Sequence, residues 1–152
     1  MMWNIKNYQL GFDLWGLVLF LVIMLPNFVW FVLPAPNDIL RGESVTPLVD
    51  TIAQVFQIMM AAALCVVINT TRDKPMKPVY AIAAIVCIVL YFAGWAAYYT
   101  GFTNAAVILG LCLAPCGSFL LFAAARKNAA ALISAAAFTA CHLIFAIANF
   151  IL

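Results

Sequence analysis

Residues 48–69 read LVDTIAQVFQIMMAAALCVVIN. A helix rising about 1.5 Å per residue crosses roughly 30 Å of hydrocarbon in about twenty residues, and this stretch has that length with a single charged side chain. Four further apolar runs share its character, at about 13–34, 78–100, 103–125 and 129–151. Between them lie PAPNDILRGESVTP, TTRDKPMKP, GFT and RKN, rich in the Pro, Gly, amide and charged residues that end helices. The pattern predicts an all-α, polytopic membrane protein: one integral membrane domain over 1–152, built as a five-transmembrane-helix bundle.

Composition agrees. The chain is 68% hydrophobic and 8% charged, outside the range of soluble domains. The apolar runs are continuous rather than alternating, so a β-barrel is not expected. A net charge of +2 gives no reason to expect a nucleic-acid partner. The GFT and RKN connections are short enough to force antiparallel hairpins between spans three and four and between spans four and five.

With five spans, Lys6, Arg72, Lys74, Lys77, Arg126 and Lys127 fall on one side and Arg41 alone on the other. The positive-inside bias then places the N-terminus in the cytoplasm and the C-terminus outside, in a multi-pass protein of the cell membrane. The first run is too long for a signal-peptide core and no small-x-small cleavage site follows it, so it is read as a retained span. The charges of TRDKPMKP and RKN are read as solvated topogenic residues without chemistry of their own.

The opening stretch also raises the functional question, because Asp50, Gln54 and Gln57 share one helical face. Measured from the predicted outer edge, they descend through depths of about 3, 9 and 13 Å. Asn27, Tyr91, Cys112 and His142 come from the other four spans at about 11–14 Å. A structural reading exists for each residue: amides can bond neighbouring helices, and Asp50 can complement the helix dipole near a Thr46 cap. Three polar residues on one face would need three such partners, whereas a water-accessible cavity serves all of them.

In YFAGWAAYY, Tyr91, Trp95 and Tyr98 keep to one side of the third span, and Trp95 is placed on the cavity wall. Pro26, beside Asn27, and Pro115 interrupt their helices and expose carbonyls at membrane depth. The candidate ligand-binding set is therefore Asn27, Asp50, Gln54, Gln57, Tyr91, Trp95 and His142. The Pro34–Pro47 loop lies over the mouth as a partly ordered cap.

The five cysteines show no C-x-x-C pair, and with one histidine they form no recognisable ligand set; no metal or cofactor is expected. No nucleophile and base stand at a recognisable spacing, so an enzyme is not expected. The Ala-rich run 129–151 offers a close-packing surface, within the bundle or toward a second copy or a partner membrane subunit. The partners expected are the lipid bilayer and a small-molecule ligand. The expected function is a small transporter or permeation module of bacterial type, binding a cationic or heteroaromatic organic solute in an outward-facing cavity. The alternative is a ligand-binding sensor or accessory subunit that moves nothing. The length and five spans resemble the tryptophan-rich translocator proteins in architecture alone, since the Trp- and Pro-rich motifs of that family are absent.

Overall fold

The computed structural model describes residues 5–152. Five helices are long and apolar enough to cross a membrane: α1 Leu14–Val32, α2 Pro47–Val66, α3 Pro78–Tyr99, α4 Ala105–Ala125 and α5 Ala129–Phe150. Large apolar side chains such as Phe31, Ile58, Ile82 and Val89 point outward, as a bundle surrounded by lipid requires. The spans begin and end within a few residues of the predicted ones.

One difference lies at the end of α2. The predicted second span continues to residue 69, but Val67–Asn69 leaves the helix as a short strand, β2, antiparallel to β1, Tyr8–Leu10. A ladder of three residues has no alternation long enough to read in a sequence, and the partner segment lies some sixty residues away. Its effect is local. The chain following β1 caps α2, with Gly11 N–H donating to the Val66 carbonyl at 3.0 Å and Asp13 N–H to that of Cys65 at 2.8 Å. Carbonyls that would otherwise end the helix unpaired are thereby satisfied.

Ordinary capping chemistry sets most other boundaries. Asp13, Asn104 and Asn128 accept hydrogen bonds from Trp15, Val107 and Ala131 at the starts of α1, α4 and α5. Pro47 and Pro78 open α2 and α3, where a missing N–H costs nothing. After α3, Gly101 takes a φ of 94°, and the following Phe102 N–H returns to the Ala97 carbonyl at 3.1 Å. That left-handed turn is the reason a glycine stands there.

The most extensive interfaces join α2 to α5, α4 to α5 and α3 to α4, with α1 set against α2. α5 is therefore wedged between α2 and α4, and its buried Ala129, Ala131, Ser134 and Ala135 make room for that approach. Gly16 on α1 meets the Leu64 carbonyl of α2 so closely that a Cβ would collide with it. The bundle has two unlike ends. The loop end carries residues 33–46 and 100–104, and the basic end carries the β1–β2 ladder and the segments 70–77 and 126–128.

Candidate functional site

α1 contributes through its defect. Pro26 cannot donate to the carbonyl four residues earlier, and Asn27 beside it directs Nδ2 to the Ile23 carbonyl at 3.2 Å and to Tyr91 Oη at 2.7 Å. This bond joins α1 to α3 across the interior, on the rim of a cavity of about 410 Å³ to which all five helices contribute. That volume suits a small organic molecule. Asn27, Asp50, Gln54, Gln57, Tyr91, Trp95 and His142 all line it, so the seven candidate residues lie around one space. Cys112 and Pro115 of α4 line it as well.

The polar groups are committed to different degrees. Asp50 is half-buried, and its Oδ1 accepts from Thr46 Oγ1 at 3.1 Å. The Thr46 side chain thus bonds the carboxylate rather than capping α2 itself. Gln57 reaches only the Met24 sulfur, at 4.0 Å, which is a weak acceptor. Among the described residues Gln54 and His142 have no hydrogen-bond partner. Tyr91, by contrast, is buried and held by Asn27, which makes it a fixed part of the wall.

Aromatic rings form two other walls. Phe138, His142 and Phe145 recur at helical spacing on α5, with His142 nearly parallel to Phe138 (18°, centroids 5.1 Å apart) and to Phe145 (9°, 6.1 Å). On α3, Trp95 is only 6% exposed and is met edge-on by Tyr91 and Tyr98, with Trp30 of α1 tilted against it at 6.2 Å. Its Nε1–H is buried and, among the described residues, has no acceptor in hydrogen-bonding geometry.

Leu40, from the 33–46 loop, also borders the cavity, and that loop is tied down by Asp38. Trp30 Nε1 donates to both Asp38 oxygens at 2.9 Å, Tyr98 Oη donates to Oδ1 at 2.9 Å, and Arg41 Nε donates to Oδ2 at 2.8 Å. Leu40 N–H donates in turn to Tyr98 Oη at 3.1 Å. Burial pushes the Asp38 carboxyl upward, but the hydrogen bonds from Trp30, Tyr98 and Arg41 outweigh it and hold the pKa below the ordinary value. At the opposite margin, Asn149 of α5 accepts from Val45 N–H at 2.7 Å and donates to Thr46 Oγ1 at 3.0 Å.

At the basic end Lys74 and Lys77 are exposed, but Arg72 and Arg126 depart from the reading of these charges as solvated. Asp13, 5% exposed, takes Arg72 Nη1 at 2.7 Å and Arg126 Nε at 3.2 Å, and both arginine side chains are nearly buried. Burial draws the Arg126 pKa down, Asp13 opposes this, and Arg72 adds to it. Asn128 Nδ2 bonds the Ala63 and Val67 carbonyls at 2.8 Å, while Tyr8 Oη donates to the Lys127 carbonyl at 2.9 Å. The two connections 70–77 and 126–128, the N-terminal segment at Tyr8 and the start of α1 are thereby drawn together at the basic end. Sequence reasoning missed Asp13 because Arg72 and Arg126 lie far along the chain, and missed Asp38 although Arg41 stands three residues and Trp30 eight residues from it, because Tyr98 arrives from another helix.

Compared with family models, curated proteins and solved structures, the chain matches none.

Proposed function

We propose that this protein is a small membrane transporter or permeation module that takes an organic solute into the cavity at its loop end. The observation carrying this reading is the convergence of polar groups from four helices, Asn27, Asp50, Gln57, Tyr91 and His142, on one interior space of about 410 Å³. Polar groups at membrane depth are costly and are kept where they meet water, a partner or a solute. Lys6, Arg72, Lys74, Lys77, Arg126 and Lys127 belong to the basic end, which supports a cytoplasmic placement of that end, in the cell membrane, and an outward-facing cavity. Labelling of a Lys74→Cys variant in sealed cells by an impermeant thiol reagent from outside would reverse this orientation.

A second reading, a sensor or accessory subunit that binds without transport, is favoured by the closure of the basic end around Asp13, Arg72 and Arg126. Proteoliposomes separate the two. Uptake of radiolabelled benzylamine, nicotinamide and benzoate is compared for the wild type and for Gln57→Trp, which fills the cavity. Saturable uptake of at least one probe, lost in Gln57→Trp, supports the transporter. Saturable binding without uptake, lost in the same variant, supports the sensor. Neither binding nor uptake of any probe that depends on residue 57 contradicts both.

A further inference from the structure

We infer that the cavity selects small aromatic cations, with Asp50 as the counter-charge and Trp30, Tyr91, Trp95, Phe138, His142 and Phe145 as an aromatic lining. The inference rests on the solute-binding reading above and narrows it to one chemical class.

Charge comes first. Asp50 is the single carboxylate among the cavity-lining residues, and neither lysine nor arginine lines the cavity. The ion pairs of the described residues involve Asp13, Asp38 and Asp73 and leave Asp50 without one. Thr46 occupies one carboxylate oxygen from the rim, so the group is positioned but not neutralised. An anionic solute would meet that charge with no lysine or arginine beside it to compensate. A neutral apolar solute would strip water from Asp50 and from the amides of Gln54 and Gln57 and give no hydrogen bond in return.

Shape decides among cations. A small inorganic cation needs several oxygen ligands close around it, and a wide space walled by Ile23, Phe119, Phe138 and Trp95 does not provide that cage. A flat ring carrying positive charge uses every wall at once. Its charge is attracted by Asp50 and by the aromatic lining, and its ring displaces water from the apolar and aromatic walls. Gln54 and Gln57 remain to accept or donate hydrogen bonds along the cavity wall, since neither is engaged by a strong partner.

Three probes of nearly equal shape test this in protein reconstituted into nanodiscs, with empty nanodiscs as the blank: N-methylquinolinium, neutral 1-methylnaphthalene and anionic 1-naphthoate. Calorimetry is expected to show saturable binding of N-methylquinolinium only. In Asp50→Asn, which keeps an oxygen for Thr46, that affinity is expected to fall about ten-fold or more, as loss of a charge-assisted contact implies. Should Asp50→Asn fail to fold, the ranking of the three probes on the wild type still decides. Binding of 1-methylnaphthalene or 1-naphthoate as tight as that of the cation, or an unchanged cation affinity in a folded Asp50→Asn protein, would overturn the selectivity while leaving a ligand-binding cavity in place. No binding of any probe would also overturn it, and the cavity reading would then rest on the uptake comparison with Gln57→Trp.

Discussion

Asp38 and Asp50 are both acidic residues near the loop end, yet only one belongs to the cavity wall. Asp38 is consumed by structure, with donors from Trp30, Arg41 and Tyr98 on its two oxygens. Its pKa in the folded protein lies below the ordinary 3.8, so its contribution to stability is present above that value and is lost as pH falls through the lower folded value. Protection of residues 33–46 relative to their intrinsic exchange rates should therefore fall on acidification below about pH 4, and Asp38→Asn should show low protection already at neutral pH. Equal protection of this loop in the two proteins at neutral pH would remove Asp38 from the account. The Asp50, Gln54 and Gln57 stripe was legible in the sequence because its partners share one helix, where spacing alone fixes the face. The role of Asp38 was not legible, because the nearby Arg41 and Trp30 do not show by their spacing that Tyr98 arrives from another helix to complete the cluster.

At the scale of elements, the five spans were legible because each must cover the hydrocarbon by itself, which leaves a continuous apolar signature. Their order around the bundle was not. Nothing in the local pattern says that α5 inserts between α2 and α4, since that depends on how small residues of one helix meet the surface of another. The strand pair Tyr8–Leu10 with Val67–Asn69 escaped for the related reason that it exists only through tertiary pairing. Gly16 gives a test of the α1–α2 seam. A methyl group there collides with the Leu64 backbone carbonyl, which cannot step aside as a flexible side chain would. Gly16→Ala should destabilise the protein by about 1–3 kcal/mol, read as a lowered midpoint in thermal or denaturant unfolding in detergent. Gly110→Ala, at a position with open space beside it, should have a much smaller effect. Equal midpoints for the two variants would show that α1 does not approach α2 as described.

For the whole molecule, the two ends are held by different chemistry. The loop end is fastened by neutral hydrogen bonds and the Asp38 cluster, and the basic end by two nearly buried arginines sharing Asp13. Removing the shared anion leaves both arginines uncompensated, so Asp13→Asn should cost about 3–5 kcal/mol and expose the basic end to limited proteolysis in the 70–77 segment. A stability change below about 1 kcal/mol would place the cluster among solvated surface pairs instead. The central claim is that water and solute reach the polar stripe of α2 from the loop end. It is tested most directly by thiol accessibility of Gln57→Cys, with the five native cysteines replaced, in vesicles of known orientation. Ile58→Cys, on the outward apolar surface, serves as the comparison. The account predicts that an impermeant methanethiosulfonate added on the loop-end side modifies Gln57→Cys readily and Ile58→Cys hardly at all. A Gln57→Cys variant that is unreactive from that side, or no faster than Ile58→Cys, would contradict it.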